Sequence, residues 1–415
     1  CCARADLDRA TGFDPATGHD RASGHGCRRC DNRPTTVATA AGSPADSASQ
    51  WERVDPGDEA IPGGMADVVI GGPGFIAVGA VGSVGDLDAA VWTSPDGYLW
   101  ERVAHDESVF GGIGDQVMRG LAAGGPGFIA TGYDTSGNDW DAAVWTSPDG
   151  LVWTRLSDVE GVFGGPGRQS ADSVVAVDNM VLAVGHHVDD VDQDVAVWMS
   201  PDGLAWARVA HDEDVFGGDG NQATAAVTPT ESGFVAVGHD VEDFGPAGAD
   251  YDAAIWQSPD GTNWSRLPHD EAIFGGDGWQ GLRTILAAES GLVALGWAEH
   301  DGSYDVAVWT STDGTDWVRA THDEDELGGP GEQMVNDIAE GDLGLVAAGR
   351  DAADAAIWIS TDGAAWTQLH DEAFGGPGPQ EIRGVAVLDD LVVGVGIDWA
   401  ADEPIPVVWV GRPAG

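Results

Sequence analysis

Ser94-Pro95-Asp96-Gly97-Tyr98-Leu99-Trp100 is the first of six copies of one pattern, Ser-Pro/Thr-Asp-Gly-x-x-Trp. The others begin at Ser147, Ser200, Ser258, Ser311 and Ser360, so the steps are 53, 53, 58, 53 and 49 residues. A period of about fifty residues, built from β-prone runs and Gly turns, marks a propeller or solenoid rather than separate domains.

One repeat shows how the unit is made. Residues 116–123 are a short apolar run that ends at Gly124-Gly125-Pro126-Gly127, a tight turn. Residues 128–132 form a second strand. A polar loop from Tyr133 to Trp140 leads to the third, residues 141–146. The quoted pattern then turns the chain into a fourth, residues 153–156. Four short strands on tight turns make an antiparallel meander. A helical reading fails, because Gly and Pro interrupt the chain too often for any 3.6-residue period to survive.

Tryptophan counts the units twice. The fourth-strand Trp recurs at 51, 100, 153, 206, 264, 317 and 366, and the third-strand Trp at 92, 145, 198, 256, 309, 358 and 409. The chain therefore enters on a fourth strand and leaves on a third. Pairing the two ends completes the last unit and removes the free edge. The expected fold is all-β: a seven-bladed propeller of four-stranded antiparallel blades, closed by its N-terminal and C-terminal strands.

The turn pattern resembles the Asp-box, or bacterial neuraminidase repeat, of sialidase-like propellers, and the resemblance runs from about residue 48 to 410. Here Asp and Gly are adjacent, so the box is one residue shorter than the family's. The resemblance implies that the Asp ties down the hairpin backbone while the Trp packs beneath it. It does not imply an activity, since the box is a folding device in enzymes and non-enzymes alike.

Acidic residues number 70 against 18 bases, with no lysine, for a net charge of −52. Such a surface repels nucleic acid and anionic membranes, so neither is an expected partner. Residues 1–47 differ from the rest, being rich in Gly, Ala, Ser, Thr and Arg and holding all four cysteines. They read as a disordered tail preceding a propeller over 48–415. A single Cys27-x-x-Cys30 does not establish a zinc site. A chain starting at Cys1 with a flexible linker fits a surface lipoprotein, so an extracellular or cell-surface monomer is expected.

Repeated positions read as scaffold. His105, His211, His269, His322 and His370 each stand near a carboxylate expected opposite them: Asp88, Asp194, Asp252, Asp305 and Asp354. Five copies around a ring indicate structural pairs rather than one active site. Phe110, Phe163, Phe216, Phe274 and Phe374 recur where they would plug gaps between blades. Gln116 and its equivalents open each innermost strand, where they are expected to satisfy backbone groups near the axis.

Two positions vary. One reads Ala80, Tyr133, His186, His239, Trp297, Arg350 and Ile397, the other Asp115, Arg168, Asn221, Trp279, Glu332 and Pro379. Fourteen of the 18 tryptophans are framework, and the remaining Trp140, Trp279, Trp297 and Trp399 map to the same face as these positions. Aromatic and Arg anchors on a loop-bearing mouth suit a binding site. The expected ligand residues are therefore Tyr133, His186, His239, Trp297, Arg350, Arg168, Trp279, Glu332, Trp140 and Trp399. No cofactor and no metal is expected. The acidic loops near Asp134 and Asp192 complete no known calcium motif.

The sequence favours a non-enzymatic propeller that binds a protein or glycan on an aromatic, acidic face. The alternative is a sialidase-like glycoside hydrolase, for which the resemblance implies an arginine cluster, a Tyr–Glu pair and an acidic catalyst. Arg119, Arg283 and Arg383 occupy matching Gln-x-x-Arg positions, and Tyr133, Tyr251 and Tyr304 lie near the expected mouth. Against this, sialidase catalytic propellers have six blades, and these arginines recur. A concave pocket with converging Arg and carboxylates, as opposed to a shallow aromatic rim, separates the two.

Overall fold

The computed structural model describes residues 50–413 apart from 58–60, 138, 158–160, 190–191, 219, 246–247, 277, 301 and 400–402. The expected tail, with its cysteines, lies outside the described residues. The described residues build antiparallel sheets with almost no helix. Five sheets have four strands, and the sixth has eight. The eight-stranded sheet divides into two four-stranded halves, joined by the single parallel pair Gln193–Asn221.

The meander read from the sequence is present. Gln116–Gly124 pairs with Gly127–Asp134, which pairs with Asp141–Ser147, which pairs with the two-residue strand Thr154–Arg155. One boundary differs from the expected loop. The second strand continues through Tyr133 and Asp134, opposite Ala142 and Asp141. The varied position is thus held in a ladder. At the chain ends, Gln50–Val54 pairs with Ile405–Arg412, from Gln50 opposite Arg412 to Val54 opposite Val408. The Gln380–Leu388 strand of that sheet packs against Gly63–Gly71, the innermost strand of the first sheet.

Each turn pattern is a closed set of hydrogen bonds. The Ser147 hydroxyl accepts the Gly150 N–H at 2.8 Å, and Asp149 Oδ1 accepts the N–H groups of Leu151 and Val152 at 2.9 Å. These bonds hold the Asp149 carboxyl below the usual range. The Trp153 indole donates to the Gly150 carbonyl at 2.9 Å. Gly150 has φ of +80°, and a Cβ there would strike Ile76 of the neighbouring sheet.

Tryptophan and phenylalanine join one sheet to the next. The third-strand Trp residues are at most 1% exposed. Trp145 donates to the Val109 carbonyl at 2.8 Å and Trp409 to Ala373 at 2.9 Å, so each ties its sheet to the preceding connection. Phe110 packs in one cluster with Val78 and Val91 of one sheet and Met118 and Trp145 of the next. Leu327 takes that place in the repeat that lacks the Phe. Truncating any such Trp removes about 3–5 kcal/mol.

Every innermost strand breaks register once. The skipped residues are Ala66, Arg119, Asp172, Ala225, Arg283, Asn336 and Arg383. A bulge bends its strand and re-aims the extra side chain. Beside each bulge the second strand carries a glycine: Gly79, Gly132, Gly185, Gly238, Gly296, Gly349 or Gly396. A Cβ at Gly132 would overlap the Val117 carbonyl, and the other six glycines face the same obstacle.

Candidate functional site

The seven bulged residues all line one cavity of about 970 Å³. Six of the seven second-strand residues line it too: Ala80, Tyr133, His186, His239, Trp297 and Ile397. The cavity wall is therefore two repeated positions, one on each strand of the innermost hairpins. Position repeats, while residue type does not.

Around Asp172 the contacts are short. Ser170 Oγ donates to Asp172 Oδ1 at 2.6 Å, His186 Nδ1 lies 2.8 Å from Oδ2, and Arg119 Nη1 lies 3.4 Å from Oδ1. Burial pushes the Asp172 carboxyl up, but the bond from His186 and the charge of Arg119 outweigh it and bring it to about 2. Arg119 also lies over the Tyr133 ring at 5.2 Å, while burial pushes the Tyr133 phenol up. His239 is pushed down to about 4, first by burial and then by the positive fields of His186 and Arg283. Asp172 is thus ionised, and His239 is neutral at neutral pH.

Arg283 is different. It lies deep inside the molecule, where burial lowers its pKa, yet its side chain is open to the cavity. It makes no ion pair or side-chain hydrogen bond among the described residues. Arg383, by contrast, is bonded to Glu381 at 3.1 Å and lies 5.6 Å over Trp399. Asn336 donates to Glu381 at 3.0 Å and to the Ile382 carbonyl at 2.9 Å.

Asp67 and Asp337 also line the cavity, immediately after two of the bulges. Asp67 accepts the N–H groups of Val68 and Leu121 at 2.7 Å, and Asp337 those of Ile338 and Val385 at 2.8 Å. Burial pushes both carboxyls up, and the charge of Asp337 pushes Asp67 further.

Of the residues expected from sequence, Tyr133, His186, His239 and Trp297 form cavity wall. The other six do not line it. Trp140 stacks on Tyr133 at 4.5 Å with Arg168 5.5 Å over it. Trp279 lies 4.7 Å from Tyr251 and 6.4 Å from Tyr304, with Trp297 5.2 Å from Tyr304. Arg350 pairs with Glu332 at 2.7 Å, and Trp399 lies beneath Arg383. Trp140 and Trp399 thus pack against the lining residues Tyr133 and Arg383. Of the two forms weighed from the sequence, pocket and rim, the cavity has the concave one, and Arg119, Arg283 and Arg383 line it.

Arg119, Arg283 and Arg383 were visible in the sequence but read as scaffold because they recur. Asp172, Asn336, Asp67, Asp337 and Glu381 had no motif to mark them. A signal did exist: each second-strand Gly marks the bulge opposite it, and the bulge marks the inward side chain.

The repeated histidines sit elsewhere. His105, His211, His269 and His322 hydrogen-bond to the Glu two residues on, at 3.0–3.2 Å. The expected cross-strand Asp is close but further, at 3.9, 3.8, 3.8 and 3.4 Å. No such contact joins His370 to Asp354 among the described residues. The repeated Gln residues satisfy backbone as expected in two repeats, Gln116 donating to the Ile113 carbonyl at 3.2 Å and Gln169 to the Pro166 carbonyl at 3.1 Å, and several also bond a second-strand carboxylate. Gln116 donates to Asp134 at 3.0 Å and Gln222 to Asp240 at 2.7 Å.

No family model matches the chain, and no curated protein does. Among solved structures, a polysaccharide lyase described as an ulvan lyase matches with TM-score 0.51 and 14% identity, over 83% of this chain and 94% of the lyase. The Trypanosoma rangeli sialidase in complex with sialic acid matches with TM-score 0.46 and 11% identity, over 88% of this chain. A second structure of that sialidase, with the inhibitor DANA, matches with TM-score 0.45 and 13% identity, over 72% of this chain. The chain spans 59% and 56% of the length of these two sialidase chains. The likeness to the lyase shows a shared β-propeller fold. No helix among the described residues is long and apolar enough to cross a membrane.

Proposed function

We propose that this chain cleaves a glycan that carries a carboxylate, held in the cavity by Arg119, Arg283 and Arg383. One observation carries the reading: in a chain of net charge −52, three arginines on three bulges face one space, and Arg283 feels the charges of Asp172 and Glu381 but makes no ion pair among the described residues. A guanidinium that faces the cavity and is bonded to no protein carboxylate is open to pair with an arriving anion. A guanidinium fork matches a carboxylate in geometry as well as charge.

A saccharide suits the remaining wall. Trp297 lines the cavity with an aromatic surface for a sugar ring, and about 970 Å³ is ample for a short oligosaccharide. The fold-level analogy with a polysaccharide lyase points the same way. Cleavage is favoured over simple binding because the carboxyls are driven apart. Asp172 is held ionised, while Asp67 and Asp337 are pushed toward holding a proton. A fixed negative charge and a proton donor in one cavity are the pair that glycoside hydrolysis uses. This is the hydrolase alternative of the sequence reading, with the non-enzymatic binder set second.

The same reading takes the fold as a closed ring of seven blades over 48–415, with turns that are shortened Asp-boxes. Packing of the last innermost strand against the first supports it. On this reading the protein works outside the cell, where such glycans are exposed.

The test is a screen of fluorogenic sialosides, uronides and neutral glucosides, run beside an absorbance assay for unsaturated lyase products. Turnover confined to carboxylated sugars is expected. Binding without turnover restores the non-enzymatic reading. Equal affinity for neutral and carboxylated saccharides would sink the proposal.

A further inference from the structure

Four clusters of Asp, His and Glu stand around the described residues, and one of them has a second imidazole. Asp88–His105–Glu107, Asp194–His211–Glu213 and Asp252–His269–Glu271 offer three ligand atoms each. The fourth is His300, Asp305, His322 and Glu324, whose ligand atoms all lie within 4.8 Å of one another. We propose that these four side chains form a tetrahedral site for a zinc-like divalent cation.

Geometry supports the proposal. Zinc–ligand bonds of about 2.0–2.1 Å require neighbouring ligand atoms about 3.4 Å apart. His322 Nε2 lies 3.2 Å from Glu324 Oε2 and 3.4 Å from Asp305 Oδ2. His300 Nδ1 lies 3.8 Å from Asp305 Oδ2 and 3.8 Å from Glu324 Oε2. A contraction of about 0.4 Å on the His300 side brings these four separations to tetrahedral length, and the remaining two lie within 4.8 Å. The His300 side chain is 55% exposed and free to make that shift, while Asp305 is 5% exposed and fixed.

A cavity of about 60 Å³ opens among His300, Asp305 and His322, roomy enough for a cation and its approach. Arg319 also borders this space, but it is engaged elsewhere. It donates to the Gly275 carbonyl at 3.1 Å and lies 5.3 Å over Trp309. Two carboxylates and two neutral imidazoles then neutralise a divalent charge. Imidazole selects zinc or a similar transition metal over calcium or magnesium, which take oxygen ligands.

The site would work as a staple. His300 ends the strand Gly291–His300, Asp305 lies in Ser303–Ser311, and His322 and Glu324 follow Trp317–Arg319. The cation ties the mouth end of one hairpin to the connection leading to the next innermost strand. Trp297 and Tyr304, three residues before His300 and one before Asp305, report on it.

The experiment is calorimetric titration of the full chain with zinc, in the native form and in a variant with Cys1, Cys2, Cys27 and Cys30 changed to Ser. The variant removes tail thiols as competing ligands. One saturable equivalent is expected in it, and cobalt in place of zinc should give the strong visible absorption of four-coordinate geometry. H300A should weaken binding at least about 100-fold, beyond the 10–100-fold of an outer-shell change. H211A, in a three-ligand cluster, should leave it unchanged. Because His300 is exposed, H300A is expected to keep the native circular dichroism and thermal midpoint. Absence of saturable binding, or equal loss in H300A and H211A, overturns the proposal.

Discussion

The turn from Ser147 to Trp153 and the bulge at Arg119 belong to one four-stranded sheet, and both recur around the chain, yet they behave in opposite ways. At the turn the same residues return each time, and their hydrogen bonds close within the turn. At the bulge the place returns while the residue changes through Ala, Arg, Asp, Ala, Arg, Asn and Arg, and all seven side chains face one cavity. Repetition at the periphery spreads copies apart, so each must be self-sufficient. Repetition on the innermost strand gathers copies together, so they can divide a task among them.

If that contrast is right, a change at the bulge alters binding, whereas a change at the turn alters only stability. R283M should lower affinity for a carboxylated saccharide by about 100-fold or more, since loss of a desolvated charge partner costs 2–5 kcal/mol. Its thermal midpoint should change little, because Asp172 and Glu381 lose the field of Arg283 but no bonded partner. Midpoint loss with intact binding would break the comparison.

His239 gives the next largest effect, and it sharpens the contrast by pH. The folded protein keeps this ring neutral down to about 4, whereas an unfolded chain protonates it near 6.5. Between those values the unfolded state binds more protons, so stability falls on acidification through that window. H239Q removes a slope equivalent to about 3 kcal/mol across the window. Denaturant unfolding at pH 7 and pH 4.5 measures it. An unchanged pH difference in the variant would show that His239 is not held neutral by the cavity.

Ser147 tests the other side. S147A loses one buried hydrogen bond and should cost about 1 kcal/mol, with ligand affinity unchanged. If it weakens binding as R283M does, periphery and axis are not separable. The smallest effect belongs to His105, whose contacts to Glu107 and Asp88 are partly exposed. H105A should stay within about 0.5 kcal/mol in chemical denaturation.

Much of the framework was legible because it rests on local chemistry. The Ser-Pro/Thr-Asp-Gly turn, the Trp series and the offset between the chain ends are pair and turn rules a reader can apply without coordinates. The pairing of Gln50–Val54 with Ile405–Arg412 is the clearest result of that kind. The site was only half legible. Tyr133, His186, His239 and Trp297, which stand out by their variation, line the cavity, whereas the three arginines beside them recur and do not stand out. The decisive residue in each innermost strand sits at a bulge, which shifts inside/outside alternation by one residue and defeats a period-2 reading.

The amino-acid order by itself determined the repeat, the four-stranded meander and the partnership of first and last strands, since these follow from turn residues and apolar spacing nearby in the chain. Only the tertiary structure decided that Arg119, Asp172, Arg283 and Arg383, drawn from four separate repeats, share one cavity. It likewise decided that Arg350 pairs with Glu332 outside that cavity. The reason is geometric: which way a bulged side chain points depends on how closely two backbones approach, and that distance is set by the packing of whole sheets.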